Sequence, residues 1–316
     1  MKETNATDQK SYFQVAEGVW GMKDIFVNVY FVSGDDGWVL IDAGLKTSYT
    51  KIKSVAAQLF GEGVAPAGIV LTHGHFDHIG SLRMLASDWD VPIYAHHLET
   101  PYLTGKSAYP PADSSVGGGL MSALADFYPN EPIDLSGTIK SLPFSQEIPV
   151  LPSWRYIHTP GHTPGHISLW REEDKVLIVG DAFVTTKQES AFSTLTQLKM
   201  LSGPPKYFTC DWQQAKRSVE ELAALKPEIV AAGHGRPMQG EEMQQALMRL
   251  AADFDQKAVP ARGRYVQDPA VTNQYGVVSL PPKNLGMPGR IGMGAAVIAL
   301  AGLGYAIGNN IRRKTF

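Results

Sequence analysis

Four potential metal ligands fall within six residues, His73-Gly74-His75-Phe76-Asp77-His78, directly after the apolar run Gly68-Ile69-Val70-Leu71-Thr72. A run this short and β-branched reads as a buried strand. Side chains alternate along an extended segment, so His73 and His75 point the same way and can share one cation. Asp77 and His78 then start a helix and turn elsewhere, suited to a second cation nearby. Imidazole with carboxylate suits zinc, iron or manganese. Whatever fold the chain adopts has to open this strand end onto a ligand cluster.

Further ligands can come from three other strand ends. The chain holds nine histidines but one cysteine, Cys210, which excludes an intrachain disulfide and a multi-thiolate site. After Trp154-Arg155-Tyr156-Ile157 comes His158-Thr-Pro-Gly-His162-Thr-Pro-Gly-His166, whose Pro and Gly make turns that place one imidazole at a strand's end. Asp181 emerges from the β-branched run ending in Val179-Gly180, where one carboxylate could bridge two cations. His234 closes the run Glu228-Ile-Val-Ala-Ala-Gly. Ligands delivered from several strand ends to one side of a sheet are how sites are built in open α/β layers.

The pattern along the chain agrees. Residues 26–34 and 37–44 are apolar runs meeting at Ser33-Gly34-Asp35-Asp36-Gly37, a hairpin signature. A helix is expected from about Ser48 to Phe60, and another over residues 211–226 ahead of the strand that leads to His234. Further strands are expected at residues 91–97 and 154–158, and the runs 166–170 and 175–183 form a second hairpin-like pair. Hairpins argue against an all-parallel sheet, and helix–strand alternation argues against an all-β sandwich. The expectation is an α/β fold, a four-layer αββα sandwich of two mixed β-sheets flanked by helices. Residues 1–10 read as a polar tail without a secretory signal, 11–258 as the catalytic domain, 259–290 as a Pro/Gly-rich arm and 291–316 as an apolar C-terminal segment. Between His97 and Leu142 the pattern weakens around Gly117-Gly118-Gly119, with one amphipathic helix expected over residues 120–127 and the whole read as an insertion over the site.

Composition bounds the partners. With 28 Lys and Arg against 31 Asp and Glu, the net charge of −3 gives no reason to bind nucleic acid. A lone cysteine fits a cytoplasmic catalytic domain. Ile291 to Gly308 is uncharged and near the lower limit of about 17 residues for a membrane span. It reads equally as a membrane anchor or as a small-residue segment packed on protein. Oligomeric state is left open.

Together with Leu40-Ile41-Asp42-Ala43-Gly44, these motifs resemble the metallo-β-lactamase fold superfamily of hydrolases, over about Val19 to Pro237. The resemblance implies one cation on His73, His75 and His162, another on Asp77, His78 and His234, and Asp181 bridging them. It implies two divalent ions, zinc foremost with iron or manganese as alternatives, and a water or hydroxide between them as nucleophile. Asp77 would orient that water or accept its proton. Metal binding lowers the pKa of water from about 15.7 toward about 7, which supports the reading. Asp42 and His166 are expected to stand behind ligands, and His158, His96 and His97 to be structural or wall groups. Cys210 is expected to pack ahead of a helix capped by Asp211.

The implied substrate is a small ester, lactone, thioester or phosphoester, held by the 97–142 insertion and by residues 185–207, with Lys187, Tyr109 and Tyr207 as polar contacts. Thiolate-ligand β-lactamases carry cysteine where this chain has Asp181. Lactonases similar to it carry tyrosine three residues beyond the bridging aspartate, where Val184 stands here. Two alternatives remain in the sequence. Persulfide dioxygenases, mononuclear-iron enzymes, resemble the motif set but use only the equivalents of His73, His162 and Asp181. The other is a catalytically inactive, membrane-tethered binding protein, against which the intact ligand set argues.

Overall fold

The strands that line the site are apolar along their whole length because both faces of each are covered. In the computed structural model, which describes residues 11–196 and 199–283, they form two mixed sheets. The first follows sequence order: β1 (Phe13–Ala16), β2 (Val19–Asp24), β3 (Val27–Gly34), β4 (Gly37–Ile41), β5 (Gly68–Val70), β6 (Ile93–Ala95) and β7 (Ile139–Ser141). Short connections make β1 to β4 antiparallel, whereas longer crossovers make β4 to β7 parallel. The β3–β4 hairpin closes with Gly34 opposite Gly37, at the expected turn.

The second sheet contains β8 (Arg155–His158), β9 (Ile167–Arg171), β10 (Val176–Gly180), β11 (Ile229–Ala232) and β12 (Met238–Gln239), in the order β12-β11-β10-β9-β8. Only β10 and β11 run parallel; helix Trp212–Ala224 lies in their crossover.

Alternation assigns neighbouring residues to different layers. Val32, Val39 and Ile41 of the first sheet meet Leu169, Val176 and Ile178 of the second in the central core. Their neighbours Phe31 and Leu40 face the other way, onto Ile52 and Val55 of helix Tyr49–Phe60 and Leu82 and Leu85 of helix Leu82–Trp89. On the far side, Leu177, Val179 and Val230 pack on Val219 and Leu222 of helix Trp212–Ala224 and on Leu247 of helix Glu241–Ala252. This is the expected helix–sheet–sheet–helix layering.

Two segments differ from expectation. The amphipathic pattern at 120–127 makes one short helix, Leu120–Ala123, and then a 3-10 turn, Ala125–Phe127. Tyr128 explains the break: its hydroxyl donates back to the Met121 carbonyl at 2.9 Å, and its ring packs beside Tyr207 and Phe208. The segment from residue 259, expected as an arm, is docked instead. Tyr265 donates to the Pro111 carbonyl at 2.8 Å, Ala270 N–H to the Cys210 carbonyl at 3.0 Å, and hairpin β13 (Val271–Asn273)–β14 (Gly276–Ser279) reaches Ser107 through Val277 N–H. Pro and Gly content signals irregular backbone; it carries no information about docking, which rests here on isolated residues. The compact unit accordingly runs to Pro282, past the boundary expected at 258. Among the described residues no helix is long and apolar enough to cross a membrane. The polar tail at 1–10 and the apolar segment at 291–316 lie outside the described residues.

Candidate metal centre

Parallel pairing of β4 with β5 and of β10 with β11 turns their carboxyl ends to a common edge, and the ligand candidates gather there. His73 and His75 follow β5; Asp77 and His78 sit in the short helix Phe76–Ile79, for which extended His75 is the N-cap. His162 lies in the turn between β8 and β9, Asp181 directly after β10, and His234 after β11. None of the seven is more than 5% exposed.

Their donor atoms converge. His73, His75 and His162 form one group with donors within 4.8 Å of one another, Asp77, His78 and His234 a second, and His73, His78 and Asp181 a third that joins them. His75 Nδ1 lies 3.0 Å from His162 Nε2, and His234 Nε2 lies 3.5 Å from Asp77 Oδ2. Asp181 Oδ2 stands 3.6 Å from His162 Nε2, 3.7 Å from His78 Nε2 and 3.1 Å from His234 Nε2. Tetrahedral ligands with bonds of about 2.0–2.1 Å are separated by about 3.3 Å, so the spacing suits a cation. Three buried atoms in this cluster have no hydrogen-bond partner: His73 Nε2, His78 Nε2 and Asp181 Oδ1. Buried polar atoms are rarely left so, and a metal is the partner this donor set fits.

Backbone and side-chain partners orient the rings. Asp42, in the left-handed region at φ 63°, accepts from Thr72 N–H and Thr72 Oγ1, each at 2.8 Å, and from His78 Nδ1 at 2.7 Å. Since the Thr72 hydroxyl donates its proton to Asp42, its oxygen accepts from His73 Nδ1 at 3.1 Å. His234 Nδ1 donates to the Phe26 carbonyl at 2.9 Å. In all three rings the proton is held on Nδ1, which leaves the Nε2 lone pair for a metal. His166 Nε2 accepts the Asp181 N–H at 2.8 Å and fixes the backbone that carries the shared carboxylate.

Electrostatics complete the picture. Burial, reinforced by neighbouring imidazoles, pushes His73 and His162 well below the usual histidine range and His75 to about 3, so these rings stay neutral. Burial alone would raise Asp181, yet His234 and His78 hold it well below the usual carboxylate range. Burial opposes charge on His78 and His234 too, but Asp42 and Asp181 raise the first, and Asp181 and Asp77 the second. A site that attracts protons this strongly between carboxylates attracts cations for the same reason.

Two supports escaped the sequence reading. Glu99 is fully buried, and its carboxylate accepts from Gly74 N–H at 3.0 Å, Thr163 Oγ1 at 2.8 Å, Gly165 N–H at 2.7 Å and the Tyr109 hydroxyl. One side chain thereby ties the loop of His73 and His75 to the loop of His162. A Cβ at position 165 would collide with Glu99, so glycine is required there. No sequence signal marked Glu99. Asn28 left a faint one, a polar residue inside an apolar strand: its Nδ2 donates to the carbonyls of Ala232 at 2.9 Å and Gly235 at 2.6 Å, clamping the turn of His234. Replacing Glu99 by alanine strands the Thr163 hydroxyl and the Gly165 N–H besides Tyr109, and leaves Gly74 N–H only its bond to the Tyr109 oxygen. It is expected to weaken metal retention about 10- to 100-fold in a chelator titration.

Above the ligands lies a chamber of about 10 Å³ walled by Phe26, Phe76, Met121, Tyr128, Tyr207 and Phe208. Tyr207, expected at the substrate, is in this wall. Tyr109 directs its hydroxyl to Glu99 and Gly74 N–H instead of into the chamber. Lys187 is exposed and lines another cavity with Lys206 and Arg249, one that includes none of the seven ligands. His158 donates to the Pro164 carbonyl and stacks on His96, 4.1 Å between ring centroids. Cys210 is buried against the Gly161 carbonyl, its thiol pushed up by burial, and Asp211 caps the following helix through Gln214 N–H.

The comparisons with known proteins bear on this geometry. The family model described as the metallo-beta-lactamase superfamily matches residues 22–234, a span from β2 to the last of the seven residues. A probable metallo-hydrolase of Bacillus subtilis strain 168, YflN, is 46% identical over 242 residues, covering 76% of this chain and 92% of the relative. The hydroxyacylglutathione hydrolase GloC of Haemophilus influenzae is 32% identical over 114 residues, 36% of this chain and 48% of that protein. Among solved structures, a metallo-beta-lactamase family protein of Thermus thermophilus superposes with a TM-score of 0.54 at 20% identity, covering 77% of this chain and 81% of that one, a likeness of fold.

Proposed function

The chain belongs to the metallo-beta-lactamase superfamily and is a metal-dependent hydrolase, and from that premise we propose that it works with two divalent ions, zinc foremost, on a small ester, thioester, lactone or phosphoester. The observation that carries the dinuclear reading is the position of Asp181 Oδ2, within 3.1–3.7 Å of donors from both groups of ligands. His73, His75 and His162 would hold one ion, Asp77, His78 and His234 the other. When bound, the ions supply a water of lowered pKa as nucleophile and polarise the scissile carbonyl or phosphoryl oxygen. Asp77, in the chamber wall, orients that water and takes its proton. Asp42 keeps His78 in its ligand tautomer, and the aromatic wall excludes bulk water, which strengthens every charge interaction inside. The likeness to a hydroxyacylglutathione hydrolase favours a thioester among these substrates.

Elemental analysis of protein purified without chelator tests the reading. Two metals per chain are expected. One ion with Asp77 and His78 uncoordinated would overturn it in favour of a mononuclear enzyme, and no metal in active-site-intact protein would overturn it in favour of a binding role.

A further inference from the structure

The chamber over the ligands, at about 10 Å³, has room for roughly one water, so the body of a substrate has to lie elsewhere. Next to it is a cavity of about 670 Å³, within the range of small-molecule sites. The two share His75 and Phe76, so the cavity adjoins the chamber at these two side chains. Beyond them the cavity is lined by Leu45, Ile79, Met84 and Ile133, and its cations are Lys46 and Arg83. The Arg83 guanidinium donates to the Asp134 backbone carbonyl at 3.0 Å, and Lys46 has no side-chain hydrogen bond or ion pair among the described residues. Glu131 is the one carboxylate in the lining, against two cations, and leaves it net positive.

We propose that this cavity receives the non-reacting part of the substrate: an apolar acyl chain of several methylenes that carries an anionic group at its far end. The inference rests on the hydrolase reading and narrows it. The reacting carbonyl sits at the His75 side, the methylenes lie along Phe76, Ile79 and Met84, and the anion meets Lys46. A compact polar ester would leave this apolar surface in water, whereas a chain of several carbons covers it.

Calorimetric titration of metal-loaded, full-length protein with straight-chain monocarboxylates and α,ω-dicarboxylates of two to ten carbons is the test, alongside kcat/KM for acyl thioesters of the same lengths. Affinity is expected to rise about fourfold per added methylene, with dicarboxylates binding more tightly than monocarboxylates of equal length. Met84 and Lys46 are exposed, so substitutions there spare the core. Met84→Trp, which fills the cavity, is expected to flatten the dependence on length, and Lys46→Glu to remove the advantage of the second carboxylate. Thioester turnover without any dependence on length overturns the cavity proposal and leaves the hydrolase reading standing. Binding that lengthens with the chain and is lost in Met84→Trp, without turnover of any ester, supports the cavity and overturns ester hydrolysis. A length dependence that survives Met84→Trp intact overturns the cavity proposal.

Discussion

Asp181→Ala is expected to strip the protein of most of its metal and to lower turnover by about 10³-fold or more. Asp181 is the shared anion of the cluster: its Oδ2 stands 3.1 Å from His234, 3.6 Å from His162 and 3.7 Å from His78. Two divalent ions bring four positive charges, and of the seven proposed ligands only Asp77 and Asp181 bring negative ones. Deleting half of that compensation in a buried site leaves the cations repelling each other with little screening. The backbone should survive, because the link from position 181 to His166 is made by the main-chain N–H, which alanine retains. Asp181→Asn separates charge from shape, since it keeps the side-chain volume and loses only the anion. Metal content by elemental analysis, read beside circular dichroism, decides the matter; full retention of both ions in folded Asp181→Ala would remove the residue from the bridge.

What was legible in the sequence was whatever depends on local pattern. The layering followed from buried strands of both kinds of connection, and the clustering of His73, His75, Asp77 and His78 followed from period two giving way to a helix start. The sites at Asp181 and His234 were visible because each closes a β-branched run. Glu99 was invisible for the opposite reason. It follows a strand by several residues, its partners lie 25 and 66 positions away, and one buried carboxylate facing two loops leaves no periodic trace. Tyr109 was read by type, as a polar aromatic in an insertion; its hydroxyl is bonded to Glu99, ten residues before it, and the residue also lines the cavity beside the chamber. Lys187 was read as part of the 185–207 loop expected to frame the pocket, but its exposed side chain lines a separate cavity with Lys206 and Arg249. For Glu99 the deciding contacts are hydrogen bonds to distant loops, a property of the assembled layers.

Asp77→Asn is expected to cut turnover by about 10²- to 10⁴-fold while leaving the fold intact. Burial pushes the Asp77 carboxyl up from its ordinary value, with His78 and His234 pulling the other way. A carboxylate raised on folding is an ionised group that the metal-free fold holds at a disadvantage above its folded pKa, so a neutral amide of the same shape should not lower the unfolding midpoint of metal-free protein. What asparagine loses is functional: a negative charge 3.5 Å from His234 Nε2, and an oxygen in the chamber wall able to take a proton. Asp77→Glu keeps both properties but moves the carboxylate by one methylene in a chamber of about 10 Å³, and should fall between wild type and Asp77→Asn. Turnover, metal content and unfolding midpoint measured on the same preparations separate the roles. A drop in kcat with both ions retained assigns Asp77 to the proton step, a drop that tracks loss of one ion assigns it to ligation, and wild-type turnover in Asp77→Asn would exclude both.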